Sequence, residues 1–466
     1  MSEIVLKYIC PVSDIIFTEG FLFMRIQLAE HCTNRKLLRF TLPSVIMMVC
    51  TSIYGVVDGV FVSNFVGSDA FAAVNLIMPF LMVLGAVGFM LGTGGSALVA
   101  YTLGAGNEKR ANEIFSLLIY VLIGVGAVFT IGGIAFLTPM SRLLGADETM
   151  LPVCVSYGRI VLLGLIPYML QNTFQSFLVT AERPQLGLYV TIAAGVTNIA
   201  LDALFVAVLQ WGAEGAALAT ILSQFVGGAI PLVYFLRPNS SKLRLGRTAF
   251  HGRALLKACA NGSSEFMTNI SMSVVNMLYN WQLMRLMGSG GVAVYGVIMY
   301  VNFIFIAIFL GYSMGSAPIV GYHYGAGNRA ELRGLLRKSL CIITVMSVVL
   351  TAAALLLARP LSMIFMSKEA TLLPVTIRAF SIYSLSFLMA GYNIYASSFF
   401  TALNDGFISA LISFARTLVF QVAAVIVLPV LWDIDGVWAA VVAAETLALL
   451  LSAACLVGKR KKYGYA

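Results

Sequence analysis

The run Tyr101-Thr102-Leu103-Gly104-Ala105-Gly106-Asn107 returns 221 positions later as Tyr322-His323-Tyr324-Gly325-Ala326-Gly327-Asn328. Working outward from these runs, the same spacing relates Gly67-Ser68 to Gly288-Ser289, Ala72 to Ala293, Ile77-Met78 to Ile298-Met299, Gly94 to Gly315 and Val99 to Val320. It also relates Asn172 to Asn393, Thr180-Ala181 to Thr401-Ala402 and Gly215 to Gly436, so the register survives without a net gap. The unit is too long for a solenoid repeat. Two copies of one apolar helical unit are a sign of a membrane transporter whose substrate path lies between the copies.

Composition agrees. Apolar residues make up 60% of the chain and charged residues 11%, against roughly 45–50% and about 25% in a soluble domain. Apolar runs of the length needed to cross a bilayer, about 20 residues, lie near 38–65, 71–102, 115–138, 150–179, 186–209, 213–236, 254–286, 292–322, 338–358, 372–402, 407–430 and 434–457. The predicted fold is all-α, with twelve transmembrane helices in two six-helix lobes. Six is even, so both copies insert with one orientation and their pseudo-twofold axis runs along the membrane normal. This divides the chain into a tail (1–36), a first lobe (37–236), a linker (237–253), a second lobe (254–457) and a basic end (458–466).

Lys and Arg set the orientation. With a cytosolic amino terminus, the inner segments hold 21 of them and the outer segments four: Arg142, Arg359, Lys368 and Arg378. Lys7, Arg159, Arg285 and Arg416 fall to neither side. Both termini and the linker are then expected in the cytosol. The net charge of +9 reads as anchoring to the inner leaflet, and nucleic acid is not an expected partner. Residues 1–23 lack the pattern of a cleaved signal peptide. Met24 opens a basic amphipathic stretch and looks like a more natural start. The seven cysteines show no CxxC spacing and are expected to be free thiols packed as small apolar residues.

A carboxylate inside the bilayer costs a few kcal/mol or more, so embedded acids are functional candidates. Four qualify: Asp58, Asp202, Glu265 and Glu445. Asp58 precedes Gly67 and Asp202 precedes Trp211 by nine residues each, which puts both carboxylates roughly 13 Å below the outer surface at about 1.5 Å per residue. Asn198 lies one helical turn before Asp202, and Ala216 and Thr220 form an i, i+4 pair on the next helix. Carboxylates, an amide oxygen and a hydroxyl gathered in this way suit a monovalent cation or a proton.

These residues carry a resemblance. Asp58 in "YGVVDGVFVSNFVG", Asn198 and Asp202 in "NIALDALF", and Ala216 and Thr220 in "GAALATILSQ" resemble the first-lobe cation site of the multidrug and toxin extrusion (MATE) family, most closely its MepA-like bacterial branch. Pro43 in "FTLPSV" looks like that family's bend point in helix 1. Glu265 in "NGSSEFMTNIS" resembles its helix 7 acid, whereas the helix 10 run "MAGYNIYASSFF" lacks the second carboxylate some members have. The resemblance implies a secondary antiporter that exports lipophilic, often cationic compounds in exchange for H+ or Na+, as a monomer in lipid, with no cofactor. A flippase for lipid-linked oligosaccharide is the related alternative, and it would favour basic residues facing a diphosphate.

Other motifs weigh less. Each GAGN run follows an apolar helix and lacks GxxxxGK[ST], so it reads as a helix C-cap with glycine in the left-handed conformation rather than a phosphate loop. His31, His251 and His323 show no paired ligand spacing, so neither a metal site nor an enzyme is expected. Glu445 stands at the position equivalent to Gln224 and is expected to make an interhelical hydrogen bond. Candidates for the substrate cleft are Tyr54, Met78, Gln171 and Phe174 in the first lobe and Met272, Tyr279, Met299, Tyr300, Met314 and Tyr392 in the second, since thioethers and ring faces suit varied lipophilic cations.

Overall fold

The computed structural model describes residues 27–66, 68–366 and 371–465. The tail before Gln27, with Lys7, Cys10, Met24 and Arg25, lies outside the described residues, as do Gly67 and Lys368. Helices α1 (Asn34–Phe65), α2 (Ser68–Gly104) and α3 (Glu108–Leu143) are followed by α4, made of Leu151–Leu163 and Leu165–Thr180 with a bend of 52° at Gly164. Next come α5 (Pro184–Asp202, continuing through a π-helical segment Ala203–Val208) and α6 (Gly212–Leu236). The second half repeats the plan with α7 (Gly252–Met287), α8 (Ser289–Gly325), α9 (Arg329–Met366) and α10 (Leu372–Ser384 and Phe387–Ala402, bent by 43°). Helix α11 runs from Gly406 through a π-helical segment Ala415–Phe420, and α12 ends at Tyr463. The backbone leaves helical geometry at Trp432 and Asp433, where α11 passes into α12.

Among the described residues eight helices are long and apolar enough to cross a membrane, and ten once the bent pairs α4 and α10 each count as one span. Dividing the last at Trp432–Asp433 and adding α7 gives twelve. Helix α7 is less apolar because it carries Asn261, Glu265, Thr268, Asn269, Ser271 and Asn276, which suits a helix packed on protein rather than lipid. Helix α8 has 37 residues, about 55 Å at 1.5 Å per residue, so it projects well beyond a hydrocarbon core about 30 Å thick.

The lobes meet along α2 on α7 and α1 on α8, and the duplication is visible in how they close. A Cβ at Gly104 would run into the carbonyl of Tyr322, and one at Gly325 into the carbonyl of Tyr101. Higher up, Gly94 abuts Ala258 and Gly262 of α7, and its counterpart Gly315 abuts Thr41 of α1. Small residues let helix backbones touch where apolar burial supplies no drive. The same GAGN runs then turn the chain: Gly106 and Gly327 have φ of 79° and 70°. Asn107 and Asn328 next accept from the backbone N–H of Arg110 and Glu331, both at 3.0 Å, and so cap α3 and α9.

The segment before α1 ties the lobes together at the same end. The Leu28 N–H donates to Glu182 after α4 (2.9 Å), while the Cys32 N–H donates to Glu331 of α9 (3.0 Å) and His31 pairs with the same carboxylate (2.6 Å). The linker runs extended along α3: Arg244 N–H donates to Asn112 Oδ1 (2.6 Å) and Gly246 N–H to Ser116 Oγ (3.0 Å). All six cysteines among the described residues are free thiols.

Candidate functional site

The acids of the first lobe come together. Asp58 of α1 faces Asn198 and Asp202 of α5, and the α6 face carrying Thr220, Ser223 and Gln224 closes the third side. Tyr54, Gly55, Asp58, Asn198, Thr220, Ser223 and Gln224 line a cavity of about 50 Å³. Asp202 is fully enclosed and Asn198 is 2% exposed. Immediately after Asp202 the α5 hydrogen bonding slips into the π-helical segment Ala203–Val208, a local widening that recurs at functional positions. Ala216 is buried in a small apolar group with Val206 and Val66, and it lets α6 approach this segment closely.

The chemistry of this cluster lies in what its oxygens lack. Asp58 Oδ1, Asn198 Oδ1, both carboxylate oxygens of Asp202 and Gln224 Oε1 are buried and have no hydrogen-bond partner among the described residues. Buried polar atoms left unpaired cost about 1–3 kcal/mol each, and more when charged, so five in one place fit a group that accepts a cation or a proton. The cavity has room for a small cation with a water or two, whereas drug-sized ligands need roughly 300–1,000 Å³. Among the described residues no group of three or more His, Cys, Asp or Glu could hold a metal ion.

The second lobe is built differently at the matching depth. Tyr279, equivalent to Asp58, is buried, stacks on Tyr295 with ring centroids 4.9 Å apart and donates its hydroxyl to Gln421 Oε1 (3.0 Å). Glu445, equivalent to Gln224, accepts from Arg416 Nε at 2.8 and 3.0 Å and from Asn393 Nδ2 at 2.7 Å, and Ser452 donates to Asn393 Oδ1 (3.0 Å). An interhelical hydrogen bond by Glu445 is present, and the ion pair with Arg416 adds to it. Glu265 is half-buried, and among the described residues its carboxylate makes neither a hydrogen bond nor an ion pair.

The cleft candidates divide. Tyr54 packs on Gly195, Gln171 on Gly227, and Met78, Met299, Tyr300 and Met314 are half-buried. Met272 is 39% exposed. Tyr392 is tied to Thr344 of α9 by a 2.7 Å hydrogen bond. Phe174 departs from the expectation: it is fully buried, stacked 5.6 Å from Phe235, and fills the core of the first lobe. Tyr279 is likewise sealed in the second-lobe core. Neither offers surface to a substrate in this arrangement, because an aromatic ring surrounded by other helices is drawn into packing. Pro43 lies within α1, which runs unbroken from Asn34 to Phe65. Ser223 and Gln224 line the cavity and were not singled out as site residues; their i+3 and i+4 spacing from Thr220 was the available signal.

The sequence model of the MatE family matches this chain twice, at residues 43–204 and 266–427. The chain belongs to the MatE family. Among relatives, the multidrug export protein MepA of Staphylococcus haemolyticus (strain JCSC1435) is 22% identical over 424 residues, which is 91% of this chain and 93% of that protein. Among solved structures, one described as MATE in complex with MaL6 superposes with a TM-score of 0.88 at 22% identity, covering 95% of this chain and 99% of that one. An outward-facing multidrug resistance MATE transporter of the MOP superfamily gives 0.87 at 22% identity, with the same coverage. This MatE chain is therefore a multi-pass membrane transporter with the two-lobe MATE fold.

Proposed function

We propose that this MatE chain is a secondary active multidrug exporter whose coupling ion, H+ or Na+, binds at Asp58, Asn198 and Asp202 with Thr220 and Gln224 at the edge. One observation carries the reading: the unpaired buried oxygens of that cluster around a cavity sized for a cation and not for a drug. Drug and cation would then occupy different places and compete through the shape of the molecule. A ligand moves such an equilibrium only by its differential affinity for the two states. Neutralising the cluster removes repulsion between Asp58 and Asp202, lets α1 and α5 close on one another and reshapes the first-lobe cleft beside Tyr54. The lobes, 37–236 and 254–457, rock about the reciprocal glycine seam, with both termini and the 237–253 linker on the cytosolic side of the bacterial plasma membrane. The protein acts as a monomer. Inward movement of one charge supplies about 2.3 kcal/mol per 100 mV plus the concentration term.

The substrates are lipophilic and preferably cationic, in keeping with the export function in the names of the MepA relatives and with a half-buried Glu265 that, among the described residues, makes no ion pair of its own. The flippase alternative finds less support: of the basic residues, Arg416 is embedded but already spent on Glu445. Dye efflux from vesicles, energised separately by a proton gradient and by a sodium gradient, tests the reading. Ethidium should leave faster than an anionic conjugate under one of the two gradients. Equal transport of both dyes, or transport indifferent to both gradients, would contradict it.

A further inference from the structure

The duplication gives each lobe an acidic centre, and the two centres differ in what neutralises them. In the first lobe both Asp202 oxygens lack a partner. In the second, the Glu445 carboxylate is saturated: Arg416 Nε reaches Oε1 and Oε2 at 2.8 and 3.0 Å, Arg416 Nη2 reaches Oε1 at 2.8 Å, and Asn393 Nδ2 reaches Oε2 at 2.7 Å. Both partners of the ion pair are largely shielded, with side chains 15% and 5% exposed. Arg416 lies in the π-helical segment Ala415–Phe420, and its counterpart in the first lobe is Gly195, which has no side chain to offer.

We propose that Arg416 is a cation built into the chain, holding in the second lobe the neutralising position that a transported cation takes in the first, and that it keeps the second lobe out of the coupling cycle. The proposal rests on reading the Asp58–Asp202 cluster as the coupling site. Its physical basis is that a buried carboxylate must be neutralised or paired. A guanidinium does so permanently, with a fixed fork matched to the carboxylate, whereas H+ or Na+ can bind and leave. Arg416 is a positioning residue: it touches no substrate and decides whether Glu445 is open to ions. The charged and titratable groups around the pair are Glu265 and Tyr279 of α7 and Tyr383 of α10. With the guanidinium gone, Glu445 faces no other cation among the described residues, and it should recruit one from solution.

The test uses purified full-length protein and reads thermal stability, which reports cation binding without requiring transport. The parent is Asp58→Asn/Asp202→Asn, whose Tm should not respond to replacing choline by sodium at constant ionic strength, or to mild acid. Adding Arg416→Gln should create a response of several degrees. Tm should fall as pH rises if Glu445 recruits a proton, and should rise with sodium if it recruits that ion, so the two arms identify the ion. Adding Glu445→Gln as well should abolish the response, and Arg416→Lys in place of Arg416→Gln should never show it. The proposal is overturned if the Arg416→Gln protein is folded and behaves like its parent, or if the response survives Glu445→Gln. It is also overturned if Arg416→Gln fails to fold under every condition while Arg416→Gln/Glu445→Gln folds, because the pair would then be a structural bridge that no small cation replaces. Should the parent itself respond fully to cations, the reading of the first-lobe site fails, and the Arg416 comparison is still read from the difference between parent and variant.

Discussion

The two lobes are copies in backbone and differ in how their buried charges are paired. At the glycine seam the copies agree: Gly104 meets the carbonyl of Tyr322 as Gly325 meets that of Tyr101, and Asn107 and Asn328 cap the following helices in the same way. In the membrane interior they diverge. The first lobe gathers two carboxylates and leaves Asp58 Oδ1 and both Asp202 oxygens unpaired, while the second has Tyr279, hydrogen-bonded to Gln421, in place of Asp58 and Ala423 in place of Asp202, and pairs its own Glu445 with Arg416. The difference teaches that the two copies keep the same backbone contacts at the seam while the buried polar groups around Asp58 and around Glu445 are paired in different ways. Geometry at a seam is shared by both copies and constrains both, whereas a coupling ion bound as proposed at Asp58 and Asp202 would need only one site.

Stability measurements should break the symmetry most sharply. Glu445→Ala strands a buried guanidinium and should destabilise the protein by about 3–5 kcal/mol, as removal of one partner from a buried ion pair does. Asp202→Asn removes an unpaired charge and should leave Tm unchanged or raised. Equal losses in thermal melts of the two variants would mean that the first-lobe cluster is a structural bridge as well. At the seam the copies should respond alike: Gly104→Ala and Gly325→Ala each force a Cβ against an opposing backbone, at a cost of roughly 1–3 kcal/mol. Each should also reduce cross-linking of cysteines placed across the inner ends of α2 and α8, and a large effect from one variant alone would show that the seam is not shared. The smallest expected effect is at the caps, where Asn107→Ala and Asn328→Ala should each lower stability by about 1 kcal/mol. Unequal losses in denaturant titrations would locate an asymmetry that the backbone does not show.

The fold was legible because its signals are strong and redundant: apolar runs of spanning length, a register of 221 positions and a biased distribution of Lys and Arg. Asp58, Asn198 and Asp202 were legible because charge is rare inside helices and their depths matched. The second lobe was harder to read. Glu445 and Arg416 lie 29 positions apart, on different helices, and they meet across a π-helical segment that shifts the facing of Arg416 in a way no 3.6-residue count anticipates. The cleft residues were legible only by type. Aromatic rings suit both a core and a drug surface, and Phe174 and Tyr279 went to the core because packing partners were available on every side.

Coupling is proposed to be confined to the first lobe, and drug-driven cation movement in proteoliposomes tests that most directly. With protein at matched abundance, wild type should move H+ or Na+ across the membrane when drug is added on one side. Asp202→Asn should insert normally and move none, while Glu265→Gln retains most of the flux. Wild-type cation movement in Asp202→Asn, or its complete loss only in Glu265→Gln, would place the ion in the other lobe and contradict coupling at Asp58 and Asp202.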